Sequence, residues 1–300
     1  MRGLFAGLNT IDIQFITDRY PRVNTKTLVS RNTFYLGGPA ANAAITFSNL
    51  GANAALITSV GNHLLRDFVL GELQKNSVKL FDISHGINTR AIISTVVTSG
   101  VKGDRTVLTV SPEIYREKED KTENLIGRLC REELSQYDIL QLDCFYMRYA
   151  VRIAREAKKR KIPVVIDGGS WKNDMEELLE FVNIAICSSD FYPPGTKTRK
   201  DVFEYLDSKK INRIAITRGD NPIIFKEKNQ YGKIGIDKVE AIDTLGAGDI
   251  FHGAFCYYYL KENNFAEALQ KASVVATESC KYQGTRAWIQ EFKSRYRKDD

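Results

Sequence analysis

The chain has no uninterrupted apolar run approaching the ~20 residues that a membrane-spanning helix needs. Its opening residues, Met1 to Gly7, are too short an apolar stretch for a secretory signal. A soluble, cytoplasmic protein without a membrane partner is the expectation. Cysteine is sparse: the five residues at 130, 144, 187, 256 and 280 are widely spaced, with no C-x-x-C pair. That spacing argues against a disulfide framework and a zinc site and leaves reduced thiols. His63, His85 and His252 form no triad or metal-ligand spacing. His252 falls three residues beyond Asp249 on one helix face and is expected to be solvent-exposed. No Gly-Lys-Ser or Gly-Lys-Thr occurs, which removes a Walker A loop, and no G-x-G-x-x-G marks a dinucleotide site. The net charge of +6 comes from 43 basic residues interleaved with 37 acids, so no nucleic-acid partner is indicated. The densest basic run, Lys158 to Lys161, closes a helical stretch, where cations complement the helix dipole.

The 300 residues, 43% of them hydrophobic, can bury a sizeable core. Strand and helix patterns alternate from Asp138 to Thr217: strands at 138–142, 163–167, 183–187 and 213–217, helices at 150–159, 175–181 and 202–209. This rhythm predicts an α/β fold with a mainly parallel sheet covered on both faces. Two further segments, 13–36 and 88–110, read as short β runs broken by turns at Tyr20-Pro21 and Ser99 to Asp104, and suggest a small separate sheet. The charge-rich stretch 113–133 reads as a loop and solvated helix start, and Lys293 to Asp300 as a fraying tail. No linker or repeat divides residues 1–300, so a single domain is expected.

The most informative stretch is Asp243-Thr244-Leu245-Gly246-Ala247-Gly248-Asp249. Three small residues leave backbone N–H groups unshielded. Phe251, Ala254, Phe255 and Tyr258 then set a helical face. A helix N-terminus over Gly246 to Asp249 would present free N–H groups and the positive dipole end to an anion. Asp249 beside that anion site suits phosphoryl transfer to a hydroxyl, which needs a base near the transferred group. Acids are also favoured in first helical turns by the dipole alone, and the residues by themselves leave both accounts open.

Together with Phe251, Gly253 and Phe255, this stretch resembles the C-terminal signature of the ribokinase-like (pfkB) carbohydrate and nucleoside kinases. The resemblance implies a ribokinase-like fold with a β lid, often also the dimer surface. It implies ATP and Mg2+, and an acceptor hydroxyl on a sugar or related polyol. Gly246, Ala247 and Gly248 would form the anion hole and Asp249 would be the catalytic base. Gly-Leu-Asn-Thr-Ile-Asp at 7–12 looks like the family's first strand end, whose Asp, here Asp12, binds the acceptor. Gly37-Gly38-Pro39-Ala40-Ala41-Asn42 resembles G-G-x-x-x-N, which carries Gly38 and Asn42 over as substrate contacts. Pro39 departs from the Lys of ribokinases and the Asn of ketohexokinases, so the acceptor is not fixed as ribose or fructose.

Gly103-Asp104-Arg105-Thr106 resembles the lid-hairpin segment and makes Arg105 a candidate phosphate clamp. Thr217 and Gly219 resemble the T-x-G nucleotide contact, and Asp167 to Ser170 closes a neighbouring strand. The stretch 276–284 resembles the adenine wall of ketohexokinase-like members and adds Cys280 and Gly284. One element is missing: Ser188-Ser189-Asp190-Phe191 stands where many relatives carry N-x-x-E, with Asp190 one position out of register. The protein ligands of Mg2+ are therefore unknown from sequence. A nucleoside or sugar-phosphate kinase, or a catalytically idle binding protein, would use the same cleft.

Overall fold

Along the first strand, β1 (Arg2–Ala6), Leu4 and Ala6 enter one hydrophobic layer and Phe5 another. This is the period-2 alternation of a strand buried on both faces. The computed structural model describes residues 1–100, 104–110 and 119–296. After β1 come β2 (Thr10–Thr17), β3 (Arg31–Gly37), α1 (Pro39–Asn49), β4 (Asn53–Thr58), α2 (Arg66–Lys75), β5 (Val78–Asp82), β6 (Ile93–Ser99) and β7 (Arg105–Leu108). The central part holds α3 (Glu119–Glu132), β8 (Ile139–Leu142), α4 (Met147–Lys159), β9 (Val164–Gly168), α5 (Met175–Leu179), β10 (Ile184–Cys187), α6 (Arg199–Ser208) and β11 (Arg213–Arg218). The chain continues through β12 (Asn221–Glu227), β13 (Gln230–Ile234), α7 (Ala247–Glu262), α8 (Phe265–Ser279) and α9 (Trp288–Tyr296).

Nine strands form the large sheet in the order β13-β12-β11-β10-β9-β8-β1-β4-β5. Its strands are parallel except for β12 and β13, which add an antiparallel edge that the strand and helix rhythm did not predict. Ile126 of α3, Ile153 of α4, Leu178 of α5 and Val202 of α6 cover one face. Ala44 of α1, Val69 of α2, Ile250 of α7, Ala268 of α8 and Trp288 of α9 cover the other. No helix among the described residues is long and apolar enough to cross a membrane.

A second sheet of four strands, ordered β3-β2-β6-β7, is the small lid. Asp12 belongs to it, inside β2, and not to the end of β1. The chain leaves the large sheet after Ala6, and the Leu8 N–H donates to the Asp143 carboxylate at 2.7 Å. The run Thr27-Leu28-Val29 is no strand: it lies in the loop between β2 and β3, where Leu28 is 83% exposed. The predicted turn at 99–104 includes residues 101–103, and the predicted loop at 113–133 includes 113–118; both parts lie outside the described residues, as do 297–300 of the expected tail. Within that tail, Lys293 donates to Asn49 Oδ1 at 2.6 Å and Arg295 to Glu278 at 2.9 Å, so the last helix is tied down.

Two contacts place the helices that matter most. Asp143, just past β8, accepts hydrogen bonds from Leu8 N, from Ala40 N at 3.1 Å and from Phe145 N at 3.0 Å. Its side chain thus caps α1, whose own N-cap residue, Gly38, has no side chain to do so. Burial pushes the Asp143 carboxyl up to about 7, against the pull of the Leu8 and Phe145 donors. The second contact is between α1 and α7. A Cβ on Gly253 would stand 2.3 Å from the Ala43 carbonyl oxygen, so only glycine allows this approach.

Asp143→Ala would strand two buried N–H groups, of Leu8 and Ala40, and the half-buried one of Phe145, each buried group costing about 1–3 kcal/mol. The expected result is a loss of at least about 2 kcal/mol in urea unfolding; an unchanged midpoint would refute the capping role.

Candidate active site

Helix α7 starts at Ala247 because Gly246, at φ 70°, turns the chain in the left-handed region before the apolar face begins. The Ala247 N–H turns back to the Thr244 carbonyl at 3.3 Å. The first-turn N–H groups of Gly248 and Asp249 lie beyond the reach of intrahelical acceptors. Gly248 is exposed, and a Cβ there would meet open space. The predicted helix start is therefore present, with Gly248 exposed in its first turn.

Asn42, buried in α1, donates from Nδ2 to Asp249 Oδ2 at 2.7 Å. Gly38, at φ 93°, is the residue from which α1 starts. Asp12 is buried on β2, where its Oδ1 accepts from Thr10 Oγ1 at 2.6 Å. Tyr35 of β3 and Ser94 of β6 flank Asp12 in register. Desolvation raises the Asp249 carboxyl to about 6, and the Asp167 carboxylate adds to the rise; Asn42 and His252 pull it back, and Asp12 raises it again. Burial likewise raises Asp12, opposed by hydrogen bonds from Thr10 and Ser94 and by the charge of Arg286.

Arg286 was not singled out from sequence, because an arginine in a loop reads as solvated. It donates from Nη1 to Asn42 Oδ1 at 2.9 Å and to the Thr285 carbonyl at 3.0 Å, and from Nη2 to the Leu36 carbonyl at 2.5 Å. Burial pulls its guanidinium down to about 10, so it stays charged at neutral pH. With Asn42 Oδ1 occupied by that donor, the amide nitrogen must face Asp249.

Asp243 gathers the remaining predicted residues. Its Oδ1 accepts from Leu245 N at 2.9 Å, and its Oδ2 accepts from Gly284 N at 2.8 Å and from Gln14 Nε2 of β2 at 2.6 Å. The Cys280 carbonyl accepts from Ile242 N and Asp243 N. Gly284 has φ 68°, and a Cβ there would fall 2.2 Å from the Tyr35 hydroxyl. Arg105 of β7 donates to Thr244 Oγ1 at 2.5 Å, which brings the lid hairpin onto the loop before α7.

Thr217 and Gly219 stand apart from this network. Thr217 Oγ1 donates to the Cys187 carbonyl at 3.3 Å at the carboxyl ends of β10 and β11, and Gly219 is exposed in the following turn. The acceptor-side candidates and the anion-site glycines are thus brought together, while the T-x-G pair lies farther along the same sheet edge. Asn9 is spent internally, on Thr58 Oγ1 and the Ser59 carbonyl.

His252 corrects the sequence expectation. It is 5% exposed, with Nε2 donating to Asp167 Oδ1 at 3.1 Å. The i, i+3 spacing from Asp249 was visible, but the burial was not, because α7 is packed on most sides and its sequence carries little polar face. Among the described residues no group of three His, Cys, Asp or Glu is disposed to hold a metal ion. Asp190 is exposed.

The mainly parallel sheet covered on both faces and the small lid sheet define a ribokinase-like fold. The sequence model of the pfkB family carbohydrate kinases matches residues 4–291. The chain belongs to that family and is an ATP-dependent carbohydrate kinase. It is 25% identical to the deoxyribokinase of Salmonella typhimurium, covering 94% of this chain and 93% of that one. It is 26% identical to the ribokinase of Dictyostelium discoideum (93% and 94%) and 22% identical to the ketohexokinase of Mus musculus (94% and 96%). Among solved structures, the Giardia lamblia ribokinase superposes with a TM-score of 0.79 at 17% identity, covering 98% of this chain and 99% of that one. The Arabidopsis thaliana ribokinase complexed with ribose and ATP gives 0.70 at 17% identity, covering 97% and 98%.

Arg286→Met removes the donors to Asn42, Thr285 and Leu36, and urea unfolding should show a loss of about 2–3 kcal/mol. Arg286→Lys should recover little of it, because an ammonium cannot reproduce the fork geometry.

Proposed function

We propose that the protein transfers the γ-phosphoryl group of ATP to a hydroxyl of a sugar or related polyol, with Asp249 accepting the hydroxyl proton. The observation that carries this reading is the Asp249 carboxyl itself. It stands in the first turn of α7, beside the exposed Gly248, held by Asn42 and raised to about 6. A base with that pKa is largely ionised at neutral pH yet more basic than an exposed carboxylate. The N–H groups of Gly248 and Asp249 face charge that develops on the transferring phosphoryl group, with Gly246 and Ala247 shaping the turn that aims them. Asp12 and Asn42 hold acceptor hydroxyls, and Gly38 sets the start of the helix that presents Asn42.

Arg105, already drawn to Thr244, closes over the phosphates from the lid. Thr217, Gly219, Cys280 and Gly284 border the nucleotide. Lid closure excludes water and limits wasteful hydrolysis of ATP. Mg2+ belongs to the reaction on charge grounds. The described residues do not form a protein cage for it: Asp190 is exposed and Asp249 Oδ2 is engaged by Asn42. The relatives' names point to pentoses and ketoses as the first acceptors to try. The lid's outer side, with Phe34 and Leu108 49% and 61% exposed in one cross-strand row through Ile13 and Thr95, suits a homodimer contact. A cytoplasmic site of action fits a soluble kinase with reduced thiols.

The test is ADP release from Mg-ATP across ribose, 2-deoxyribose, fructose, sugar phosphates and nucleosides. Asp249→Asn should lower turnover of the best acceptor by about 10²–10⁴-fold; wild-type turnover by that variant would sink the general-base assignment. In the wild type, kcat/KM should fall roughly tenfold per pH unit below about 6, as the carboxylate is protonated and can no longer accept. A profile flat down to pH 5 would contradict it.

A further inference from the structure

His252 and Asp167 form a pair that the proposed reaction does not use. His252 stands three residues beyond Asp249, about one helical turn, and so shares its side of α7. Asp167 reaches it from the carboxyl end of β9. Their side chains are 6% and 13% exposed. Nε2 of His252 donates to Asp167 Oδ1 at 3.1 Å, while its Nδ1 is buried without a partner among the described residues. Removing two such groups from water is costly unless each answers the other's charge. A pair maintained at this depth one turn from Asp249 acts on it through a medium that screens poorly.

The groups around Asp249 make the effect of each partner separable. Asp12 comes from β2, Asn42 from α1, Asp167 from β9, His252 from α7 itself and Arg286 from the loop before α9. Asp143, past β8, lies within the field of both Asp167 and Lys172, past β9. Carboxyl groups thus converge at the strand ends, and His252 is the basic side chain hydrogen-bonded to Asp167.

We propose that His252 and Asp167 are positioning residues that set the charge around Asp249, His252 countering the field that Asp167 would otherwise direct at the carboxylate. The inference rests on Asp249 as the proton acceptor, but its test does not need turnover. The opposed directions follow from the charges: Asp167 raises and His252 lowers the Asp249 carboxyl.

The experiment is a pH titration of the full chain labelled with 13C at aspartate side-chain carboxyls, the Asp249 resonance being identified by its loss in Asp249→Asn. The wild-type midpoint is expected at about 6. His252→Asn should move it up and Asp167→Asn should move it down, each by roughly one pH unit. Shifts of opposite sign support the pair, because generic loosening of the packing would move both variants the same way. A midpoint unchanged in His252→Asn, or shifts of the same sign, overturns it. His252→Gln repeats the measurement if His252→Asn does not fold, and Asp167→Asn decides by its own direction if neither does. If Asp249→Asn retains turnover while the opposed shifts appear, the general-base reading fails and the electrostatic pair stands. If Asp249→Asn is inactive and the shifts are absent, the reverse holds.

Discussion

The 2.7 Å hydrogen bond between Asn42 Nδ2 and Asp249 Oδ2 joins residues separated by 207 positions, and the site depends on it. Both side chains ride on helices laid against the same face of the large sheet, so the bond forms only if α1 and α7 touch closely. Gly253 permits that contact by leaving room for the Ala43 carbonyl. Asp143 fixes the start of α1 through Ala40 N, and Arg286 fixes the Asn42 amide through its oxygen. Each support acts on geometry: none adds a group that could take a proton, yet without them the carboxylate has no defined partner.

The lid is joined to this arrangement by polar contacts on its inner side. Gln14 of β2 donates to Asp243, and Arg105 of β7 donates to Thr244. Tyr35 of β3 lies where any side chain at position 284 would collide. Asp243 also receives Leu245 N and Gly284 N, so one buried carboxylate holds the lid, the approach to α7 and the loop after α8 together. The lid is thus joined by hydrogen bonds to the loop that leads into α7. The buried acids at the strand ends would repel one another if each were unpaired; Arg286, His252 and the backbone donors to Asp143 are the means by which this protein keeps them in one place.

Much of the architecture was legible because its signals are local. The alternation of strand and helix patterns gave the parallel strands, small residues before an apolar helical face gave the start of α7, and the motifs placed Asp12, Asn42 and Asp249 in one reading. Local signals failed where partners are distant in sequence. Thr27-Leu28-Val29 has strand composition but finds no neighbouring strand to pair with. Arg286 reads as a loop cation until Leu36 and Asn42 supply acceptors from 250 and 244 positions away. His252 reads as exposed until β9 delivers Asp167.

The sequence by itself determined the class of chemistry: glycines at a helix start and an acid one turn in can only be spelled locally, and their neighbours identify the family. The tertiary structure decided the electrostatic state of that acid. Its elevation to about 6 arises from burial and from the carboxylates of Asp167 on β9 and Asp12 on β2, opposed by Asn42 of α1 and His252 of α7. Desolvation and Coulomb forces depend on distance in space, and no spacing along the chain encodes them.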